Sequence, residues 1–119
     1  MPSPISGGSI TSGGVVTVVA TATPGTVVHV ATPLSTVWDE VYLYAYSTAG
    51  AAAASVGTDL TIEWGGVDAS NQMVINIEPS NGPFLVAAGL LINNANVIRA
   101  YAETANVINI HGMVYRDGE

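Results

Sequence analysis

Any chemistry in this chain would have to come from two histidines and nine acids. His29 lies in Val28-His29-Val30 and His111 in Ile110-His111-Gly112. Neither belongs to an H-E-x-x-H pair or a comparable local spacing that would aim two imidazoles at one zinc ion. Both read as ordinary strand positions, and no metal is expected. Cysteine is absent, which removes disulfides, thiolate metal sites and thiol nucleophiles. No G-x-S-x-G turn presents a serine; the serines cluster in loops and near the N-terminus. Asp39-Glu40 is the one adjacent acidic pair. Neighbours in a strand point to opposite faces, so these carboxylates cannot share a site as a glycosidase dyad would. At the start of a strand they are expected to form a solvated edge that discourages stray pairing. Asp68-Ala69-Ser70-Asn71 lacks the spacing of a calcium loop and reads as an Asx-type turn. Gly65-Gly66 has none of the context of a phosphate loop. The expectation is no catalytic residue, no metal and no cofactor.

Composition narrows the partners. The chain has 119 residues, one domain's worth. Charged residues make up 9%, against about 25% in ordinary soluble domains. Arg99 and Arg116 are the only basic residues besides the histidines, and the formal net charge is −7. A nucleic-acid binder needs several cations on phosphates, so nucleic acid is not an expected partner. An anionic membrane surface is disfavoured for the same reason. No apolar run reaches the roughly 20 residues of a membrane span, and no basic segment followed by an apolar stretch marks a secretory signal.

The elements that must position these side chains are short strands. Residues 1–14, rich in Pro, Ser and Gly, are expected to be a flexible N-terminal arm, and residues 15–119 the folded domain. VVTVVATA (15–22) and TVVHVA (26–31) flank Thr23-Pro24-Gly25 and suggest a hairpin. VWDEVYLYAYS (37–47) is the clearest strand: Val41, Leu43 and Ala45 share one face, and Tyr42, Tyr44 and Tyr46 the other. The Ala-rich stretch 48–58 reads as a loop with at most one helical turn. DLTIEWGG (59–66) alternates, with Leu60, Ile62 and Trp64 inward and Thr61 and Glu63 outward. QMVINIE (72–78) is a further strand, and FLVAAGLLI (84–92) is either a buried strand or one bulged around Gly89. NVIRAYAE (96–103) and VINIHGMVYR (107–116) complete the set. About eight short strands with closely spaced turns predict an all-β antiparallel sandwich of jelly-roll type.

With Ile98, Ala100 and Ala102, and Ile108, Ile110 and Val114, placed inward, Arg99, Tyr101, Asn109, His111, Met113 and Tyr115 face outward. They would join the Tyr42/Tyr44/Tyr46 stripe in an aromatic surface. Tyr, Met and Arg are enriched at protein interfaces and Lys is depleted. Tyr42, Tyr44, Tyr46, Arg99, Tyr101, His111 and Tyr115 are therefore the candidate interface residues, and a homo-oligomer is expected. The competing expectation is that the Tyr ladder is only the wetter side of the sheet.

The phrases WDEVYLYAYST (38–48), LTIEWGG (60–66) and FLVAAGLLINNANVIRAYAETANVINIHGMVYR (84–116) resemble small virion proteins of tailed bacteriophages. The likeness spans about residues 36–116 and departs at the Ala-rich insert 49–55. It implies a capsid decoration or cement protein: a β-sandwich, commonly a homotrimer, made in the host cytoplasm and bound to the major capsid protein on the outside of the head. The alternatives are another virion component, such as a head-fibre base or tail part, or a carbohydrate-binding sandwich whose exposed rings stack on sugars.

Overall fold

A computed structural model describes residues 2–8, 13–48, 57–79 and 82–117. Nine strands occur among them: β1 (Ser3–Pro4), β2 (Val16–Thr17), β3 (Thr26–Val30), β4 (Trp38–Ser47), β5 (Thr58–Trp64), β6 (Gln72–Ile77), β7 (Phe84–Ile92), β8 (Val97–Ala102) and β9 (Ile108–Asp117). They form two antiparallel sheets. Sheet A runs β1-β9-β4-β7, with β2 following β1 along the same edge of β9; sheet B runs β3-β8-β5-β6. From β2 onward the chain changes sheet at every connection except β5–β6, and the last strand lies between the first and third of its sheet. This is jelly-roll wiring. No helix among the described residues is long and apolar enough to cross a membrane.

The core follows from period-two alternation. Val41, Leu43 and Ala45 of β4 and Ile108 and Ile110 of β9 point inward from sheet A. Leu60 and Ile62 of β5 and Ile98, Ala100 and Ala102 of β8 meet them from sheet B. All of these side chains are fully buried, each Val, Leu or Ile contributing roughly 1.5–3 kcal/mol.

Several expectations are corrected. Residues 15–31 are no hairpin. Val16-Thr17 pairs with Ile110-Asn109 of sheet A, whereas β3 pairs with β8 of sheet B. Between them the chain bridges the sheets. Val18 N–H donates to the Ile108 carbonyl, and Ala102 N–H donates to that of Ala20. The N-terminal segment, expected as a flexible arm, is built into the sandwich over residues 2–8. Ser3 and Pro4 pair with Val114 and Met113, Ile5 is buried in the core, and Gly7 N–H bonds the Val28 carbonyl. Gly112 makes room for Ile5: a Cβ there would lie 2.9 Å from Ile5 Cγ2 and 2.5 Å from the Tyr42 carbonyl oxygen. Of the two readings of the apolar run 84–92, the strand bulged around Gly89 is the one found: it forms the edge of sheet A, and its register against β4 shifts at Gly89 and again at Val86.

Thr61 and Glu63 leave β5 on the side away from the core, as alternation requires, yet both are buried. The 23–25 turn closes over Glu63, whose carboxylate accepts from Thr23 Oγ1 and, at 2.7 Å, from Gly25 N–H. At Asp68–Asn71 the bond that closes the turn is made by the main-chain carbonyl of Asp68, not by its side chain. Of the Ala-rich stretch, residues 49–56 lie outside the described residues.

Candidate functional site

The long pairing of β4 with β9 builds the outer face of sheet A. Its register sets Glu40 opposite Tyr115, Tyr42 opposite Met113, Tyr44 opposite His111 and Tyr46 opposite Asn109. Alternation turns all eight side chains away from the core. On the other flank of β4, Glu40 pairs with Leu91 and Tyr44 with Leu85. Those leucines therefore extend the same face, and both are about half exposed. Two diagonal ring contacts order the surface. Tyr42 and Tyr115 meet edge to face, with centroids 5.9 Å apart and planes at 78°. Tyr46 and His111 stack at 5.7 Å and 25°.

Within this face Glu40, Tyr42, Tyr44, Met113 and Tyr115 line an open groove of about 470 Å³. The Tyr42 hydroxyl donates to Glu40 Oε1 at 2.6 Å. Gly89 of β7 stands beside that pair. It has φ +72°, and a Cβ there would come within 3.2 Å of the Tyr42 hydroxyl and 3.6 Å of Glu40 Oε1. Glycine thus serves both the left-handed bulge and the close approach.

The inner face of the same strands carries different chemistry. Asp39, next to Glu40, is wholly buried between the sheets rather than part of a solvated edge. Its Oδ1 accepts from Arg116 Nε at 2.7 Å. Its Oδ2 accepts from His29 Nε2 at 2.9 Å, Thr32 N–H at 3.0 Å and Arg116 Nη2 at 3.2 Å. His29 Nδ1 in turn accepts from Ser6 N–H at 3.0 Å, which assigns the His29 proton to Nε2. Burial pushes the Asp39 carboxyl up. The bonds from Arg116, His29 and Thr32, with the Arg116 charge, outweigh that and hold it below the usual carboxylate value. This cluster ties β3 of sheet B to β4 and β9 of sheet A, and through Ser6 it holds the N-terminal segment. Every oxygen of the carboxylate faces donors from the chain itself, so the cluster is a structural clamp.

Of the seven sequence-predicted interface residues, Tyr42, Tyr44, Tyr46, His111 and Tyr115 share the outer face of sheet A. Arg99 and Tyr101 do not join them. They lie on β8 opposite Glu63 and Thr61, on the outer side of sheet B, because alternation assigns a side but not a sheet. Glu40 was missed as a groove residue and Asp39 as a core residue. The signal for both was present: Asp39 is in phase with Val41, Leu43 and Ala45, and Glu40 with the Tyr stripe. Among the described residues no group of three His, Asp or Glu side chains is placed to hold a metal ion. No protein family model, no curated protein and no solved structure matches the chain.

Proposed function

We propose that this is a non-enzymatic structural protein that attaches through the outer face of sheet A. The specific form of the proposal is a decoration or cement protein on the head of a tailed bacteriophage, bound to the major capsid protein and itself a homo-oligomer, with a trimer favoured. The observation that carries it is the face itself. Four Tyr, a Met, a His, two Leu and Glu40 stand on one face of the sheet. Apolar and aromatic patches of this extent on a small domain mark contact surfaces. The sequence resemblance supplies the capsid. The jelly roll recurs in viral capsid and lectin domains alike, and a fold alone does not select between them.

A cement protein stabilises the assembled shell by binding it. Particles lacking the protein should release their genome at a lower temperature than particles carrying it. Because the attaching face is mostly apolar, the protein should stay bound at salt concentrations that screen exposed ion pairs. Identical release curves with and without it would overturn the cement reading. The Tyr-lined groove favours one second reading, a carbohydrate-binding module. That reading requires saturable sugar binding by the isolated protein, lost on Tyr115→Ala.

A further inference from the structure

The groove on sheet A has a chemistry that does not depend on the capsid reading. Its lining of Glu40, Tyr42, Tyr44, Met113 and Tyr115 contains one charged group, and that group is an acid. The rings of Tyr42 and Tyr115 stand nearly perpendicular, so their faces form a corner rather than a flat platform. The face of an aromatic ring carries negative potential. Glu40 lies directly opposite Tyr115 in the ladder and is tied to Tyr42 through Oε1. Its Oε2 has no hydrogen-bond partner among the described residues. A corner of π faces closed by a carboxylate attracts a cation and repels an anion, and the net charge of −7 acts in the same direction.

We propose that the groove is a binding site for an organic cation. An ammonium, quaternary ammonium or guanidinium head would sit against the faces of Tyr42 and Tyr115, with Glu40 as its counter-charge and the Met113 thioether as a polarisable wall. No lysine or arginine of the subunit supplies this cation. The chain has no lysine, Arg116 is bonded to Asp39 on the inner side of sheet A, and Arg99 lies on the outer side of sheet B. The head therefore comes from another molecule, either as a free small cation or on a lysine or arginine side chain. These sources present the same chemistry to the groove.

The test is an NMR titration of the full chain, following the Tyr ring signals and the Met113 methyl. The probes are choline, its uncharged isostere 3,3-dimethylbutan-1-ol, and the acetylated amides of lysine and arginine. At least one of the cations should give saturable shifts at Tyr42, Tyr115 and Met113, and choline should bind about threefold to thirtyfold more tightly than the isostere. Glu40→Gln should weaken cation binding by about tenfold and leave the isostere unchanged. Tighter binding of the amino-acid amides would assign the site to a protein side chain, and tighter binding of choline to a free quaternary ammonium; both outcomes support it. The isostere matching choline, Glu40→Gln leaving cation affinity unchanged, or no saturable shift from any cation would each overturn it. The charged-versus-neutral comparison needs no variant to fold. Because the titration uses isolated protein and the particle-release curves do not, failure of either proposal is distinguishable from failure of the other.

Discussion

Asp39 and Glu40 adjoin on β4, and their carboxylates face opposite sides of sheet A. Asp39 is sealed between the sheets, where Arg116, His29 and the Thr32 amide fill its acceptor positions. Glu40 is only partly buried, spends one oxygen on the Tyr42 hydroxyl and opens onto a groove. The same functional group thus does two jobs one residue apart. A buried carboxylate with both oxygens bonded ties the two sheets together. A half-buried one with an oxygen to spare remains available to a ligand. The difference lies in the pleat, which sends successive side chains to opposite faces, and in what each face then meets.

The largest effect is expected at Asp39. Asp39→Ala would leave the buried His29 and Thr32 donors without an acceptor and Arg116 without its partner. Removing one member of such a cluster costs about 3–5 kcal/mol, read as a fall in the midpoint of urea unfolding. A loss below about 1 kcal/mol would reduce the cluster to an ordinary surface pair.

A smaller effect is expected from acid. The Asp39 carboxyl is held lower in the folded chain than its ordinary value, which is about 3.9. Its contribution to stability is therefore complete above that value and is lost as the pH falls through the lower, folded-state value. Unfolding measured from pH 6 down to pH 2 should show this loss in the native protein and a flatter acid limb in Asp39→Asn. Equal limbs would assign the acid sensitivity to other carboxylates.

The smallest effect belongs to Glu40. Glu40→Gln retains a carbonyl that can accept from Tyr42, so thermal and urea stability should change by less than about 0.5 kcal/mol. A larger loss would make Glu40 a structural residue like its neighbour and erase the contrast.

Much of this was legible in the residues. The alternation of Val41, Leu43 and Ala45 with Tyr42, Tyr44 and Tyr46 identifies β4 and its two faces, and continuing it one step places Asp39 inside and Glu40 outside. Arg116 follows the same parity through Val114, Gly112 and Ile110. His29 was harder to place, because the register shift between Val27 and His29 interrupts the alternation, and Val28 and His29 are both buried. Burial of Glu63 was hidden too, since its cover is a turn some 40 residues away in the chain.

By itself the sequence determined the long strands from β4 onward, their two faces, the absence of thiol chemistry and the scarcity of positive charge. Alternation is a property of the local backbone, written in each segment independently of the rest. The tertiary structure alone decided which sheet each strand joined. That choice put Tyr115 and Met113 beside Tyr42 and carried Arg99 and Tyr101 to the far side. It made FLVAAGLLI the bulged outer edge of sheet A, and it docked Ile5 into the core above Gly112. Sheet membership depends on pairings between distant segments, such as β2 with β9 and β3 with β8, and no local pattern encodes a partner nearly a hundred residues away.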